Sequence, residues 1–221
     1  MTKPKIVLFD IDYTLFDTSV FKETINKKIT DKIDNRSFKN LDNKINNIFL
    51  KSREKTGYFN PRHFISMVNA QLKVNLPLSF LDRNLNDNSL YENLYDDVKN
   101  VLEDLSKDSN LFIGVFSGGD IRFQKSKIEL IKHLFHKDHV HIFLNKELEV
   151  KKIINRYKSH KLFIIDDWLD ILEKSKKMNK NVITIWIKRK GSEFKEKKKS
   201  NFSPDYILSD LQKITSIIKN N

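Results

Sequence analysis

Six short apolar runs divide the chain, and each has the length of a buried β-strand. They cover residues 6–9, 111–116, 140–144, 162–165, 182–187 and, more weakly, 206–208. Near-continuous apolar runs rich in β-branched and aromatic residues are typical of parallel strands that are buried on both faces. Stretches with helical spacing separate most of these runs. The alternation predicts an α/β fold, with a Rossmann-like parallel sheet and helices on both of its faces.

The first two runs are much farther apart than the others. Residues 10–110 separate them, whereas a crossover between parallel strands needs only about 12 residues. Within this gap apolar residues recur every four residues, as in Phe21, Ile25, Ile29 and Ile33, which predicts helices. The simplest arrangement is an all-helical subdomain, residues 18–92, inserted into an α/β core that comprises residues 1–17 and 93–221.

Polar residues follow four of the predicted strands. They are Asp10 and Asp12 after the first, Ser117 and Gly118 after the second, Lys146 after the third, and Asp166 and Asp167 after the fourth. Because ligands of open α/β sheets bind outside the carboxyl ends of the strands, we expect these side chains to converge there. A group of carboxylates needs a cation, and oxygen ligands without Cys or His favour Mg²⁺.

This set of side chains suits phosphoryl transfer. One carboxylate can act as nucleophile and form an aspartyl-phosphate, while a second protonates the leaving oxygen and later deprotonates water. A hydroxyl and a lysine can hold the phosphoryl oxygens, and Mg²⁺ offsets the repulsion between nucleophile and phosphate.

Three motifs carry a resemblance to a known family over nearly the whole chain. "FDIDYTLFD" (residues 9–17), "VFSGGD" (115–120) and "FIIDDWLD" (163–170) occur in the order found in the haloacid dehalogenase (HAD) superfamily. The resemblance implies that Asp10 is the nucleophile and Asp12 the general acid/base, and that Ser117 and Lys146 belong to the catalytic set. It further implies that phosphate is bound by Thr14, Ser117, Gly118 and Lys146, and Mg²⁺ by Asp10, Asp12, Asp166 and Asp167. The inserted helices resemble the helical C1-type cap of this superfamily.

The identity of the motif lysine stays open between two positions. Lys146 directly follows the third predicted strand, at the expected edge of the sheet. Lys151, with its neighbour Lys152, has the position of an exposed residue on the following helix. We favour Lys146.

The composition limits the remaining alternatives. The absence of Cys excludes a disulfide framework and a thiolate metal site. No apolar run reaches 18 residues, so we predict no membrane span and a cytoplasmic protein.

The formal net charge of +12 suggests nucleic acid as a partner, but 34 of the 41 basic residues are Lys, and recognition of bases and phosphates favours Arg. The Lys-rich segment 188–204 predicts an exposed, mobile loop.

The expected function is that of a Mg²⁺-dependent phosphatase acting on a small phosphorylated metabolite. In the resembling family, loss of the second motif Asp is associated with dehalogenase chemistry, so the presence of Asp12 argues against that branch. The alternatives are a sugar-phosphate mutase and a basic protein that binds nucleic acid or processes its ends. Five residues of the insertion are candidates to contact the substrate: Arg53, Lys55, Tyr58, Arg62 and His63.

A cluster of four histidines offers a different kind of metal site. They are His133, His136, His139 and His141. Zinc would require a closed constellation of ligands, but this spacing straddles a helix end and a strand. Ordinary structural histidines are the favoured interpretation.

Overall fold

A six-stranded, all-parallel sheet forms the centre of the protein. The computed structural model describes residues 3–33, 39–54, 57–84, 90–192 and 201–221. The strands are β1 (Lys5–Phe9), β2 (Leu111–Gly118), β3 (Val140–Phe143), β4 (Lys161–Asp166), β5 (Ile183–Ile187) and β6 (Tyr206–Leu208). Their order in the sheet is β3-β2-β1-β4-β5-β6, with β1 between β2 and β4. The predicted α/β fold with a parallel sheet is confirmed.

Helices connect the strands and account for the long gap after β1. Among the described residues, five helices lie between β1 and β2, and the first four are α1 (Thr18–Thr30), α2 (Leu41–Glu54), α3 (Pro61–Leu72) and α4 (Phe80–Asn84). We call these four the inserted helices. The others are α5 (Val98–Leu105), α6 (Ile121–Lys127), α7 (Lys146–Arg156), α8 (Leu169–Met178) and α9 (Ile214–Asn220). The inserted helices fall within residues 18–92, whose limits as a separate subdomain stay a prediction.

Alternate residues of β1 face two different cores. Val7 and Phe9 are fully buried in the core that also contains residues of the inserted helices, α5 and α9. Ile6 and Leu8 are fully buried on the other side, with residues of α7 and α8. This alternation follows from the two-residue period of a strand. Helices therefore cover both faces of the sheet, as the continuous apolar character of the strands indicates.

Side-chain caps begin the helices that surround the carboxyl edge of the sheet. The carboxylate of Asp17 accepts hydrogen bonds from the backbone N–H groups of Ser19 and Val20 at the start of α1. Asp120 begins α6 and Asn145 begins α7 in the same manner. These caps satisfy N–H groups that a helix leaves unpaired. They also hold the first turns of three helices beside the strand ends.

Two local predictions differ from the structure. Residues Glu129–Leu134 form a 3₁₀ helix, where the apolar stripe predicted an α-helix; its members Ile128, Ile131 and Leu134 are three residues apart, which matches the period of a 3₁₀ helix. The prediction of an exposed loop is wrong for Arg189 and Ser192, which are buried. Residues 193–200 of that segment lie outside the described residues.

Arg189 is buried because it joins the start of the core to a later helix. Its guanidinium lies 2.7 Å from the carboxylate of Asp97 and also donates to the carbonyl oxygen of Thr14.

Among the described residues, no helix combines the length and the apolar character that crossing a bilayer requires.

Candidate active site

The loop after β1 turns sharply and presents two carboxylates to one cavity. The backbone N–H groups of Leu15 and Phe16 both donate to the carbonyl oxygen of Ile11. Tyr13 adopts a φ of 55°, a left-handed conformation that is uncommon for residues other than glycine. Because the chain has left the extended conformation, Asp10 and Asp12 line the same cavity instead of pointing to opposite faces of a strand.

Lys146 joins the ends of β1 and β4. Its Nζ lies 2.7 Å from Oδ1 of Asp10 and 2.8 Å from Oδ2 of Asp166. All three side chains are buried, and Lys146 is only 6% exposed. Burial alone would lower the pKa of Lys146, but the two carboxylates raise it well above its usual range. Lys146 is therefore a fixed cation at the carboxyl edge, whereas Lys151 and Lys152 are exposed on α7.

Asp10, Asp166 and Asp167 form a buried cluster that we call the acidic cluster. Each offers a carboxylate oxygen within 4.8 Å of the others. If all three acids were ionised, the ammonium of Lys146 would leave two negative charges in the cluster. Burial raises the pKa of Asp10 and Asp167, and raises that of Asp166 to about 7. A divalent cation would remove this imbalance, and an all-oxygen ligand set fits Mg²⁺.

Neighbouring groups hold the two acids after β4 in place. The hydroxyl of Ser192 donates to Oδ2 of Asp167 over 2.6 Å, and the backbone N–H of Trp168 donates to Oδ1 of Asp166 over 2.9 Å. The indole N–H of Trp186 donates to the carbonyl oxygen of Asp167. Hydrogen bonds of this kind orient carboxylates toward a metal.

The carboxylate of Asp12 is not part of the acidic cluster and has its own donors. Lys127 and Thr18 donate to its Oδ1, and Gln124 donates to its Oδ2, each over 2.6 Å. Lys127 is 4% exposed. Burial alone would raise the pKa of Asp12, but the ammonium of Lys127 and these hydrogen bonds lower it to about 2. Asp12 is therefore ionised at neutral pH.

Two glycines allow the surrounding side chains to approach. A Cβ at Gly118 would lie 3.3 Å from Cγ of Lys146. A Cβ at Gly119, where φ is 133°, would lie 2.7 Å from Nε2 of Gln124. Ser117, at the end of β2, is 1% exposed, and its hydroxyl forms no hydrogen bond of normal geometry with a described residue. The same hydroxyl lies beside Asp10 and opposes the rise in the pKa of that carboxyl, so it is placed next to the predicted nucleophile.

Thr14 is fully buried. Its carbonyl oxygen accepts two hydrogen bonds from Arg189, so the structure shows Thr14 bracing the loop after β1. A role for Thr14 in binding phosphate stays a prediction.

Solved structures with a similar fold cover nearly the whole chain. A haloacid dehalogenase-like hydrolase from Burkholderia xenovorans has 20% sequence identity and a TM-score of 0.76, over 99% of this chain and 98% of its own. The chain has the haloacid dehalogenase-like fold. No protein-family model matches the sequence, and neither does any curated protein.

Structures with the haloacid dehalogenase-like fold include proteins that are named for different activities. An L-2-haloacid dehalogenase from Xanthobacter autotrophicus has 14% identity and a TM-score of 0.64, over 100% of this chain and 99% of its own. A HAD phosphatase from Thermococcus onnurineus has 20% identity and a TM-score of 0.62, over 97% of each chain. The fold alone therefore does not select the reaction, which has to be argued from the side chains.

A cavity of about 310 Å³ lies over these groups of the haloacid dehalogenase-like core. Asp10, Asp12, Asp167 and Lys146 line one side of it, and residues of the inserted helices and the segment between them line another. Of the residues predicted to contact substrate, Arg53 and Tyr58 line the cavity. Arg62 instead pairs with Asp82 at the surface, His63 is exposed, and Lys55 lies outside the described residues.

The sequence did not indicate four residues that contact the carboxylates. They are Thr18, Gln124, Lys127 and Ser192. Thr18 is the first residue of α1 and lies outside the quoted motifs, and Ser192 lies in a Lys-rich connection without a motif. Lys127 was one lysine among many, and its only available signal was its position in the first helix after the "VFSGGD" motif.

Proposed function

We propose that the protein is a Mg²⁺-dependent phosphatase that hydrolyses a small phosphorylated metabolite through an aspartyl-phosphate. The observation that supports this most directly is the buried acidic cluster, in which Lys146 contacts Asp10 and Asp166 and three ionised carboxylates would outnumber its one positive charge. A carboxylate surrounded by other carboxylates would repel a phosphate. A divalent cation together with Lys146 reverses that repulsion, so the cluster suits a dianionic phosphate better than an uncharged reactive group.

The buried side chains divide the work of the first transfer. An oxygen of Asp10 forms a bond to phosphorus as the bond from phosphorus to the leaving oxygen breaks. Lys146 and Ser117 hold phosphoryl oxygens, and the leaving oxygen receives a proton through Asp12. The ammonium of Lys127, 2.6 Å from Asp12, is the acid in contact with that carboxylate.

The second step releases phosphate and regenerates Asp10. Water attacks phosphorus, its proton passes through Asp12 back to Lys127, which gave up a proton in the first step, and the bond between phosphorus and Asp10 breaks. The low pKa of Asp12 keeps it ionised at neutral pH, so it can accept this proton and pass it on to Lys127. Bound Mg²⁺ would supply positive charge opposite the phosphoryl oxygens. We assign Asp10, Asp166 and Asp167 as its ligands and keep Asp12 for proton transfer, in place of the metal role predicted for it.

The first experiment is an assay of phosphate release from p-nitrophenyl phosphate and a panel of phosphorylated metabolites, with Mg²⁺ and with EDTA. Asp10→Asn should lower kcat by about 10⁴-fold or more, because it removes the nucleophile. Asp138→Asn is a matched control, since Asp138 is exposed near the opposite edge of the sheet, and it should keep wild-type activity. Full activity in EDTA, or in Asp10→Asn, would contradict the proposal.

The same samples distinguish the other predicted functions. A mutase would move phosphate between sugar hydroxyls without releasing it, so the position of the phosphate would change while free phosphate stayed constant. A nucleic-acid protein would bind DNA or RNA with a steep dependence on salt, and Asp10→Asn would not weaken that binding.

A further inference from the structure

Aromatic rings form a continuous wall in the cavity above Asp10. Phe59 stacks on Phe49 with ring centroids 4.6 Å apart, and it meets Phe123 edge-on at 5.5 Å. Phe21 lies 5.4 Å from Phe123. All four rings line the cavity, as do Tyr13, Tyr58 and Trp168. The wall therefore joins α6 of the core to the inserted helices and the segment between them.

The burial of these rings shows which of them a ligand can reach. Phe21 and Phe49 are 1% and 5% exposed, so they mainly support the wall from behind. Phe59 and Phe123 are only partly buried and present the accessible surface. Arg53 and Gln124 are among the polar groups nearby, but Gln124 is already engaged with Asp12 and the carbonyl oxygen of Gly118.

The aromatic wall begins next to Asp12 and Lys127, the residues proposed to protonate the leaving oxygen. Nζ of Lys127 lies 2.6 Å from Asp12 and 4.7 Å from the centroid of the Phe123 ring. A cation in this position over a ring is attracted by its negative face, so Lys127 helps to hold Phe123 in place. The substituent on a leaving oxygen at Asp12 would therefore meet the rings at once.

This surface favours one class of leaving group. Where a polyhydroxylated leaving group faced the Phe rings, it would lose water without regaining hydrogen bonds from them, which is costly. A flat apolar ring would bury its faces and edges against Phe59 and Phe123 in the geometries that aromatic pairs prefer. The cavity volume of about 310 Å³ is at the lower end of the range for small-molecule sites, so it suits a single ring better than a large conjugate.

We propose that the substrate is a phosphate monoester whose leaving alcohol carries an aromatic ring, which packs against Phe59 and Phe123. This inference rests on the proposed phosphatase function and specifies its substrate class. Phe59 and Phe123 are then specificity-determining residues, and Lys127 is a positioning residue for Phe123.

The test compares three esters of primary alcohols: benzyl phosphate, cyclohexylmethyl phosphate and glycerol 1-phosphate. Their leaving alcohols have similar reactivity, so differences in kcat/KM report recognition. We expect benzyl phosphate to exceed cyclohexylmethyl phosphate by about 5- to 10-fold, the size of an aromatic pairing preference, and glycerol 1-phosphate by about 100-fold. Equal kcat/KM values for the three esters would overturn the inference and leave the phosphatase proposal standing.

Phe59→Leu should reduce the preference for benzyl over cyclohexylmethyl phosphate to about 2-fold or less, since it removes the ring and keeps an apolar side chain. Phe112→Leu is the matched control, because Phe112 is also partly buried but packs beside His136 and His139; it should keep the wild-type preference. If Phe59→Leu does not fold by circular dichroism, Phe123→Leu tests the same wall. A preference unchanged in the folded variant would overturn the inference. No phosphate release from any ester, p-nitrophenyl phosphate included, would overturn the phosphatase proposal and this inference with it.

Discussion

Titratable side chains gather at two opposite edges of the sheet, and the two groups are built differently. The acidic cluster lies at the carboxyl edge, beside Lys146. A histidine cluster, comprising His136, His139, His141 and His160, surrounds Tyr157 near the amino ends of β3 and β4. The sequence offered the acids and three of these histidines as candidate metal ligands, with His133, which is exposed, in the place of His160. Among the described residues, three ligand atoms lie within 4.8 Å of one another in the acidic cluster, and the histidine cluster forms no such group.

Within the histidine cluster, ring nitrogens form hydrogen bonds with Tyr157 and the rings pack against one another. The hydroxyl of Tyr157 lies 2.8 Å from Nδ1 of His139 and 2.5 Å from Nε2 of His141. The rings of His136 and His139 stack with centroids 4.6 Å apart. Burial, followed by the charge of Arg156, lowers the pKa of His141 to about 4, so its ring stays neutral at physiological pH. The neutral rings of His139 and His141 both contact the Tyr157 hydroxyl, so they stabilise the fold and need no bound cation.

The contrast shows that charge balance distinguishes a ligand site from a structural cluster better than residue type does. Burial raises the pKa of each acid in one cluster and lowers the pKa of His139 and His141 in the other. The histidines escape the cost of burial by remaining uncharged, whereas the acids can escape it by binding a cation. Changes in the acidic cluster should therefore alter activity, and changes in the histidine cluster should alter stability alone.

Lys146→Met should have the largest effect of the remaining tests. It removes the ammonium that contacts Asp10 and Asp166, so we expect kcat to fall by about 10²–10³-fold. Phosphate release in saturating Mg²⁺ measures the effect, and circular dichroism checks the fold. Lys151→Met is the matched control on the same helix and should stay within about 2-fold of wild type. Loss of activity in Lys151→Met but not in Lys146→Met would reverse the assignment of the motif lysine.

Binding of Mg²⁺ should stabilise the protein strongly at pH 7.5 and less at pH 5.5. At saturation the Tm should rise by about 5–10 °C, measured by thermal unfolding with Mg²⁺ and with EDTA. At pH 5.5 a proton on Asp166, whose pKa is raised to about 7, competes with the metal. The shift should disappear in Asp167→Asn and persist in His141→Gln. An equal shift in Asp167→Asn would remove Asp167 from the ligand set.

The pH dependence of the metal-free protein follows from the same raised pKa. The folded state keeps a proton on Asp166 up to about pH 7, whereas the unfolded chain releases it near pH 4. The folded state therefore binds more protons between these values, and the contribution of this group to stability falls as the pH rises from 4 to 7. Saturating Mg²⁺ should remove this loss.

The sequence predicts the sheet well because each buried strand is a nearly continuous run of apolar residues. All six apolar runs became strands, and the main error was the end of β2, where Ser117 and Gly118 continue the pairing with β3. Polar residues at the end of a strand suggest a loop in the sequence, but the backbones of Ser117 and Gly118 still pair with β3. Helix type was predicted less well at residues 129–134, because a stripe of apolar residues reports which side is buried but not the hydrogen-bond pattern.

The candidate site was predictable only where a residue lies at the end of a strand or within a few residues after it. Asp10, Lys146, Asp166 and Asp167 meet this condition, and the parallel sheet brings them together. The donors to Asp12 and Asp167 come from a helix, an inserted segment and a late loop, such as Lys127, Thr18 and Ser192. Their contacts depend on how distant elements pack in three dimensions, and no local pattern of polarity encodes that packing.

The smallest expected effect concerns His141 and tests the other half of the comparison. In the folded state its pKa is lowered to about 4, while in the unfolded chain it is near 6.5. The unfolded state therefore binds more protons between these values, so stability is lost as the pH falls from 6.5 to 4. This dependence is opposite in sign to that of Asp166. His141→Gln, which cannot titrate, should lose less stability over this range, with a difference of about 2 °C in the change of Tm between pH 7 and pH 5.

The measurement is thermal unfolding of wild type and His141→Gln in saturating Mg²⁺, which suppresses the contribution of the acidic cluster. His63→Gln, on the exposed side of α3, is the control and should keep the wild-type slope. Activity should stay within about 2-fold of wild type in both variants, because neither side chain lies near the acidic cluster. A loss of phosphate release in folded His141→Gln would show that the two edges of the sheet are coupled, and the division between a reactive cluster and a structural one would then be wrong.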